Sequence, residues 1–314
     1  MAETDTETWL QSAEAQQKLA ELQQLKVLTS KADKERPVQA AKNFVDFCEF
    51  VMRDEASNSV IKLQPIHLMW IKHMQLCWSR GLYCGILAPI SHGKTTICGL
   101  ALPLFALGHN SRIRIKYICD TDSHAKERLR FIRRMIEKSP EFQATFPDVR
   151  RDPELPWNAH ELYLRRDTMA KDASLEAAGA TSNITGSRSD LTILDDVNNF
   201  KNTIAQPRTR KTVSHNLKAG VISRLEPRCK ALFIATRWHE NDLVGEILGD
   251  RDMRQQWGFL IQRISRDMTS IECETIMGNG AKEYESDQNS LETLLGLLDD
   301  GVIGAQHLEE APPI

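Results

Sequence analysis
A chain of 314 residues, 41% of them hydrophobic, is long enough for one large α/β domain with attachments. No apolar run reaches membrane-spanning length, and the polar, acidic start over residues 1–10 is not a secretory leader. Seven scattered cysteines without a Cys-x-x-Cys, and nine histidines without metal spacing, argue against disulfides and zinc and suit a reducing cytoplasm. The formal charge of −3 is unevenly spread: residues 267–314 carry eleven acidic residues and one Lys, which leaves the body at +7. A basic body suits a nucleic-acid partner.

Residues 1–36, rich in Gln, Ala, Glu and Leu, predict a helical extension, disordered in part. Residues 38–52 predict a helix with Phe44, Phe47 and Val51 on one side, and Gln64-Pro65 opens another. His67 and His73 are six residues apart and fall on different faces of it, so both read as packed or solvated. An apolar run over 82–88 then breaks into Pro-Ile-Ser-His-Gly-Lys-Thr-Thr, and a helical pattern follows over 94–107. A buried strand, a short loop ending in Gly-Lys-Thr and a helix make a phosphate-binding loop. Gly93 lets backbone N–H groups turn toward a phosphate, and the helix N-terminus adds partial positive charge. Lys94, expected to be exposed, supplies a point charge for phosphates, and Thr95 offers a hydroxyl to Mg²⁺. Ser91, His92, Gly93, Lys94, Thr95 and Thr96 form the nucleotide-binding loop. Ala88 stands where the motif asks for Gly.

A strand over 113–119 and a helix to Lys138 follow. Ala125, Leu129, Ile132 and Ile136 face the core, and Lys126, Arg128, Arg130, Arg133 and Arg134 form a charged outer side. Residues 139–160 read as a connection, 161–165 and 174–178 as short strands, and 181–189 as a polar loop. The apolar run Leu191-Thr192-Ile193-Leu194 then ends in Asp195-Asp196. On a strand beside a phosphate loop, Asp195 holds Mg²⁺ through water and Asp196 orients or deprotonates the attacking water. Residues 203–225 predict one helix. The strand 229–235 ends in Thr236-Arg237-Trp238-His239-Glu240-Asn241-Asp242-Leu243. Polar groups at the C-terminal end of a parallel strand lie where ligands bind, and Thr236 is placed to meet a γ-phosphate or its water. A helix over 242–249 and a strand over 257–262 complete the pattern. Strands alternating with helices predict a mostly parallel sheet flanked by helices. Because the carboxylate strand stands across the nucleotide from the loop, the strand 229–235 is expected between 82–88 and 191–194.

Together these segments resemble the ATPase part of the large terminase subunit of tailed bacteriophages, the motor that pumps DNA into capsids. The resembling residues are Leu63 to His67, Ala88 to Thr96, Ile184 to Arg188, Ile193 to Asp196 and Ala235 to Leu243. The family often has an Arg in its loop near Ile90, and often Asp-Glu where this chain has Asp195-Asp196. The resemblance implies a P-loop NTPase of RecA-like type, with an N-terminal helical extension (1–36), an ATPase domain (37–265) and an acidic linker or tail (266–314). Residues 291–313 resemble the linker before the family's nuclease domain, and no nuclease activity is expected from this chain.

The implied cofactors are ATP and Mg²⁺, with Thr95 and Asp195 as metal ligands. The implied partners are double-stranded DNA, the portal protein and the small terminase subunit, in a homo-oligomeric ring without membrane contact in the host cytoplasm. Gln64 lies near the adenine in the family; here it reads the base edge or simply starts a helix. Asp196, Thr236, Arg188 and Arg237 are the catalytic candidates. Arg188 and Arg237, with Arg128 as a rival, compete for the arginine that stabilises the transferring phosphate, and a surface ion pair is the alternative for each. A helicase-like ATPase, a small-molecule kinase and a DNA-binding scaffold with an inactive ATP site stand as rival functions. A helicase would need a second motor domain. A kinase would need neither the Thr236 strand nor a basic body.

Overall fold
The computed structural model describes residues 34–54, 57–182, 187–225, 228–264 and 271–278. The extension over 1–33, the stretch Ile184 to Gly186 and the linker-like segment 291–313 lie outside the described residues.

Among the described residues eight strands form one sheet: β1 Tyr83–Leu87, β2 Ile115–Cys119, β3 Glu161–Leu162, β4 Leu175–Gly179, β5 Leu191–Asp195, β6 Lys230–Ala235, β7 Trp257–Ile264 and β8 Ile271–Met277. Their order is β3-β4-β2-β5-β6-β1-β7-β8. The six inner strands run parallel, and the outermost strands, β3 and β8, pair antiparallel. Strand β6 lies between β1 and β5, the expected order. Successive strand residues point to opposite faces, and the core divides accordingly. Cys84, Ile86, Tyr117, Ile193, Leu232 and Ile234 join one apolar cluster, and Leu87, Ile118, Leu194, Phe233 and Ala235 join the other. Both faces are covered, which is why the central strands are nearly all apolar.

The first face is covered by α1 (34–42), α2 (Phe44–Val51), α3 (Pro65–Ser79), α4 (Leu102–His109) and α5 (Asp122–Lys138). The second is covered by α6 (Pro207–Gly220) and α7 (Leu243–Gly249). Among the described residues no helix is long and apolar enough to cross a membrane.

Several elements differ from the sequence reading. The helix over 38–52 breaks at Asn43, whose side chain accepts from the N–H groups of Val45 and Asp46 and so caps a new helix. The helix after the loop starts as a π-helix, Thr95–Ala101, a form common at functional sites. The helix over 203–225 is three pieces: a π-helix Phe200–Ala205, α6, and a 3₁₀ turn Ile222–Arg224. Strand β8 lies in the stretch read as a tail from residue 266. Six of the seven cysteines are buried and none is in a disulfide.

Candidate functional site
In a parallel sheet the strand ends all open on one edge, and here β5, β6 and β1 are neighbours. The loops after Asp195, Ala235 and Leu87 therefore meet, with the end of β2 beside them. The backbone records the crowding. Gly93 has φ +79°, and Ser91 and Asp196, with side chains, hold φ +65° and +43°. Such left-handed residues concentrate at functional sites.

Lys94 is the first correction to the sequence reading. It is 5% exposed rather than extended into solvent. Its Nζ donates to the carbonyls of Ala88 (3.0 Å) and Pro89 (2.8 Å) and to Thr236 Oγ1 (3.1 Å). A buried ammonium must satisfy its protons, and these three acceptors do so. Burial still holds its pKa below the ordinary lysine value, against the pull of Asp196 and Asp195.

Thr95 and Asp195 come together: Thr95 Oγ1 donates to Asp195 Oδ1 at 3.0 Å. Two neighbouring oxygens of a Mg²⁺ octahedron, each about 2.1 Å from the ion, lie about 3.0 Å apart. Hard oxygen donors at that spacing fit Mg²⁺. The other oxygen of Asp195 accepts from the Tyr117 hydroxyl (2.8 Å), with the Arg128 Nε at 3.6 Å. Burial first, and then Asp196, raises the Asp195 pKa to about 6. Burial also raises that of Asp196, against the pull of Lys94. Two adjacent, poorly hydrated carboxylates favour a cation. Gly99 makes this packing feasible, since a Cβ there would lie 2.4 Å from the Tyr117 hydroxyl.

Asp196 and Thr236 are also brought together. Asp196 Oδ1 accepts from the Thr236 N–H at 2.9 Å, while the Thr236 hydroxyl accepts from Lys94. Three loops are thus joined by one chain of hydrogen bonds.

Five of the nucleotide-binding candidates line one cavity of about 400 Å³: Gln64, Ser91, His92, Gly93 and Thr96. His67, read from sequence only as packed or solvated, is a sixth wall. Its Nδ1 accepts from the Gln64 N–H (3.0 Å), and its Nε2 meets the His92 carbonyl (3.0 Å). Burial holds its pKa below the ordinary imidazole value. Its place three residues after Gln64 in a helix start was the signal for it.

The arginines separate. Arg237 folds back on its own loop. Its Nε lies 3.2 Å from Asp242 Oδ2, and it donates to the His239 carbonyl at 3.1 Å. Arg188 precedes β5, at the edge opposite Asp195. The strand between spans about 13 Å, four steps of a β-strand, so Arg188 stands away from its own site. Arg128, assigned to the outer face of its helix, turns inward. Its Nε is buried without a hydrogen-bond partner and points at Asp195. Tyr117 and Arg128 are the neighbours of Asp195 that sequence reasoning missed or misplaced. The alternation along β2 was the only signal for Tyr117.

A family model described as "Terminase large subunit, T4likevirus-type, N-terminal" matches residues 86–302. No curated protein matches the chain.

Proposed function
The chain belongs to the T4-like-virus-type terminase large subunit family, and from that premise we propose that it is a P-loop ATPase that drives double-stranded DNA into a procapsid. The observation that carries this reading is the linked set Thr95–Asp195 and Lys94–Thr236–Asp196, built from three loops at one sheet edge. The base of ATP lies in the cavity walled by Gln64 and His67, and the phosphates lie along Ser91 to Thr96. Lys94 exchanges the Ala88 and Pro89 carbonyls for phosphate oxygens. Thr95 and Asp195 would hold Mg²⁺, which would supply positive charge against the phosphates. Asp196 orients the attacking water and takes its proton.

Thr236 couples hydrolysis to movement. Its hydroxyl is bonded to the group that meets the phosphates and its N–H to the group that meets the water. A change at either partner therefore repositions the loop that follows β6. Arg188, across the sheet from its own site, acts on a neighbouring subunit's ATP in a ring. Lys126, Arg130 and Arg134 on α5 add to the basic body that meets DNA phosphates. The portal protein and the small terminase subunit are the assembly partners, in the cytoplasm of the infected cell.

Equilibrium binding of a fluorescent ATP analogue tests the site. Wild type binds with Mg²⁺, and Lys94→Ala loses at least about tenfold in affinity, a charge-assisted contact being worth about 1.5–3 kcal/mol. Equal affinity in the two proteins would end the reading.

A further inference from the structure
A second constellation lies behind the phosphate loop, on the face covered by α3. His73 and Cys77 are four residues apart on α3 and project from the same side. Cys84 is the second residue of β1, and its register partner on β7 is Gly258. His73, Cys77 and Cys84 are all buried, and a ring nitrogen of His73 and the two sulfurs lie within 4.8 Å of one another. The Cys77 sulfur is 3.4 Å from His73 Nε2. The Gly258 carbonyl oxygen is 3.1 Å from that nitrogen and 3.7 Å from that sulfur.

We propose that His73, Cys77 and Cys84 form a buried site for one zinc ion, with the Gly258 carbonyl oxygen as the fourth donor. Zinc binds thiolate sulfur at about 2.3 Å and imidazole nitrogen at about 2.0–2.1 Å in a tetrahedron, so its ligand atoms stand about 3.5–3.8 Å apart. The 3.4 Å between Cys77 and His73 is close to such an edge, and Cys84, within 4.8 Å of both, would be drawn in by the ion. Charge balances: zinc binding releases the two thiol protons, the ring proton that His73 Nε2 now donates to the Gly258 carbonyl moves to Nδ1, and a divalent ion with two thiolates is neutral, which a buried position tolerates. The sulfur and nitrogen donors select a softer ion than the oxygens of Thr95 and Asp195, so the two sites do not compete for one metal. Gly258 leaves the room required, since a Cβ there would lie 2.5 Å from the Cys77 sulfur. The ion would staple α3, which carries His67 at its start, to β1, which runs into the phosphate loop. The proposal rests on these distances and stands apart from the nucleotide reading.

The test uses the full chain, expressed without a histidine tag. Elemental analysis is expected to find about one zinc per chain, as a closed structural site retains its ion. Stripping the ion with a chelator under reducing conditions is expected to lower Tm, and added Zn²⁺ to restore it. Cobalt(II) added to the stripped protein is expected to give the intense thiolate-to-cobalt absorption and the visible bands of a tetrahedral site. Cys77→Ser and Cys84→Ser lose that absorption. Cys48→Ser, at a buried cysteine elsewhere, keeps it. Where a serine variant fails to fold, the wild-type cobalt spectrum and Tm decide alone. A stripped, folded wild type with no thiolate absorption overturns the proposal. So does copper in place of zinc, or absorption that survives both serine substitutions.

Discussion

At the scale of single residues, Asp195 is where stability and chemistry conflict. It is 3% exposed, beside a second carboxylate, and its pKa of about 6 stands above the ordinary 3.8. The folded chain therefore binds that proton more tightly than the unfolded chain does. The stabilisation is in place below pH 3.8 and is lost as pH rises through about 6. The proposed metal binding would run the other way, because the carboxylate must be ionised to coordinate. Mg²⁺ affinity, measured by titration of ATP turnover, should fall up to tenfold per pH unit below about 6. An unchanged affinity at pH 5 would move the ligand elsewhere. Asp195→Asn should abolish turnover yet raise stability at pH 8 by about 1–3 kcal/mol in urea unfolding, since the charge whose burial is unfavourable is gone. Asp196→Asn should bind ATP and fail to turn it over. Its amide oxygen still accepts from Thr236, so the loop holds, but it cannot take a proton from water. Wild-type turnover in that variant would move the base to another residue.

At the scale of elements, the loop from Thr236 to Asp242 depends on one buried carboxylate. Asp242, 1% exposed, accepts from the Gly245 N–H at 3.0 Å and caps α7. It also accepts from the Trp238 N–H at 3.3 Å and pairs with Arg237. Asp242→Ala removes the cap and leaves Arg237 without this partner. The expected loss is about 2–4 kcal/mol in urea unfolding, more than a cap alone gives. A loss under about 1 kcal/mol would mean that the Gly245 cap and the Arg237 pair contribute little.

The strands that frame this loop were legible because burial on both faces gives unbroken apolar runs at 82–88, 191–194 and 229–235. Their order followed from the chemistry of a loop and a carboxylate facing across one strand. Strand β8 was not legible: Ile271-Glu-Cys-Glu-Thr-Ile-Met is mostly exposed, and backbone pairing to β7 makes it a strand. The burial of Lys94 was hidden because two of its acceptors are backbone carbonyls, which no side-chain pattern records. The gathering of His73, Cys77 and Cys84 was hidden because its third member arrives on a strand after a turn. The break at Asn43 was written in its capping chemistry and overridden by the longer apolar period.

At the scale of the whole molecule, the sheet has two unlike edges. One gathers Lys94, Thr95, Asp195, Asp196 and Thr236, and the other presents Arg188. The proposed subunit ring, bringing unlike edges together, would complete each site with its neighbour's arginine, and such an arginine is worth about a thousandfold or more in rate. Arg188→Ala and Asp195→Ala should each be inactive alone and regain turnover when mixed under assembling conditions, because mixed interfaces pair an intact site with an intact arginine. Mixtures as inactive as their parts would place Arg188 outside the reaction. Whether this sheet edge hydrolyses ATP is decided by phosphate release from the purified chain with Mg²⁺ and duplex DNA, beside Lys94→Ala confirmed as folded by circular dichroism. Slow, Mg²⁺-dependent release is expected, rising with assembly and vanishing in the variant. Release at the same rate in Lys94→Ala would contradict it.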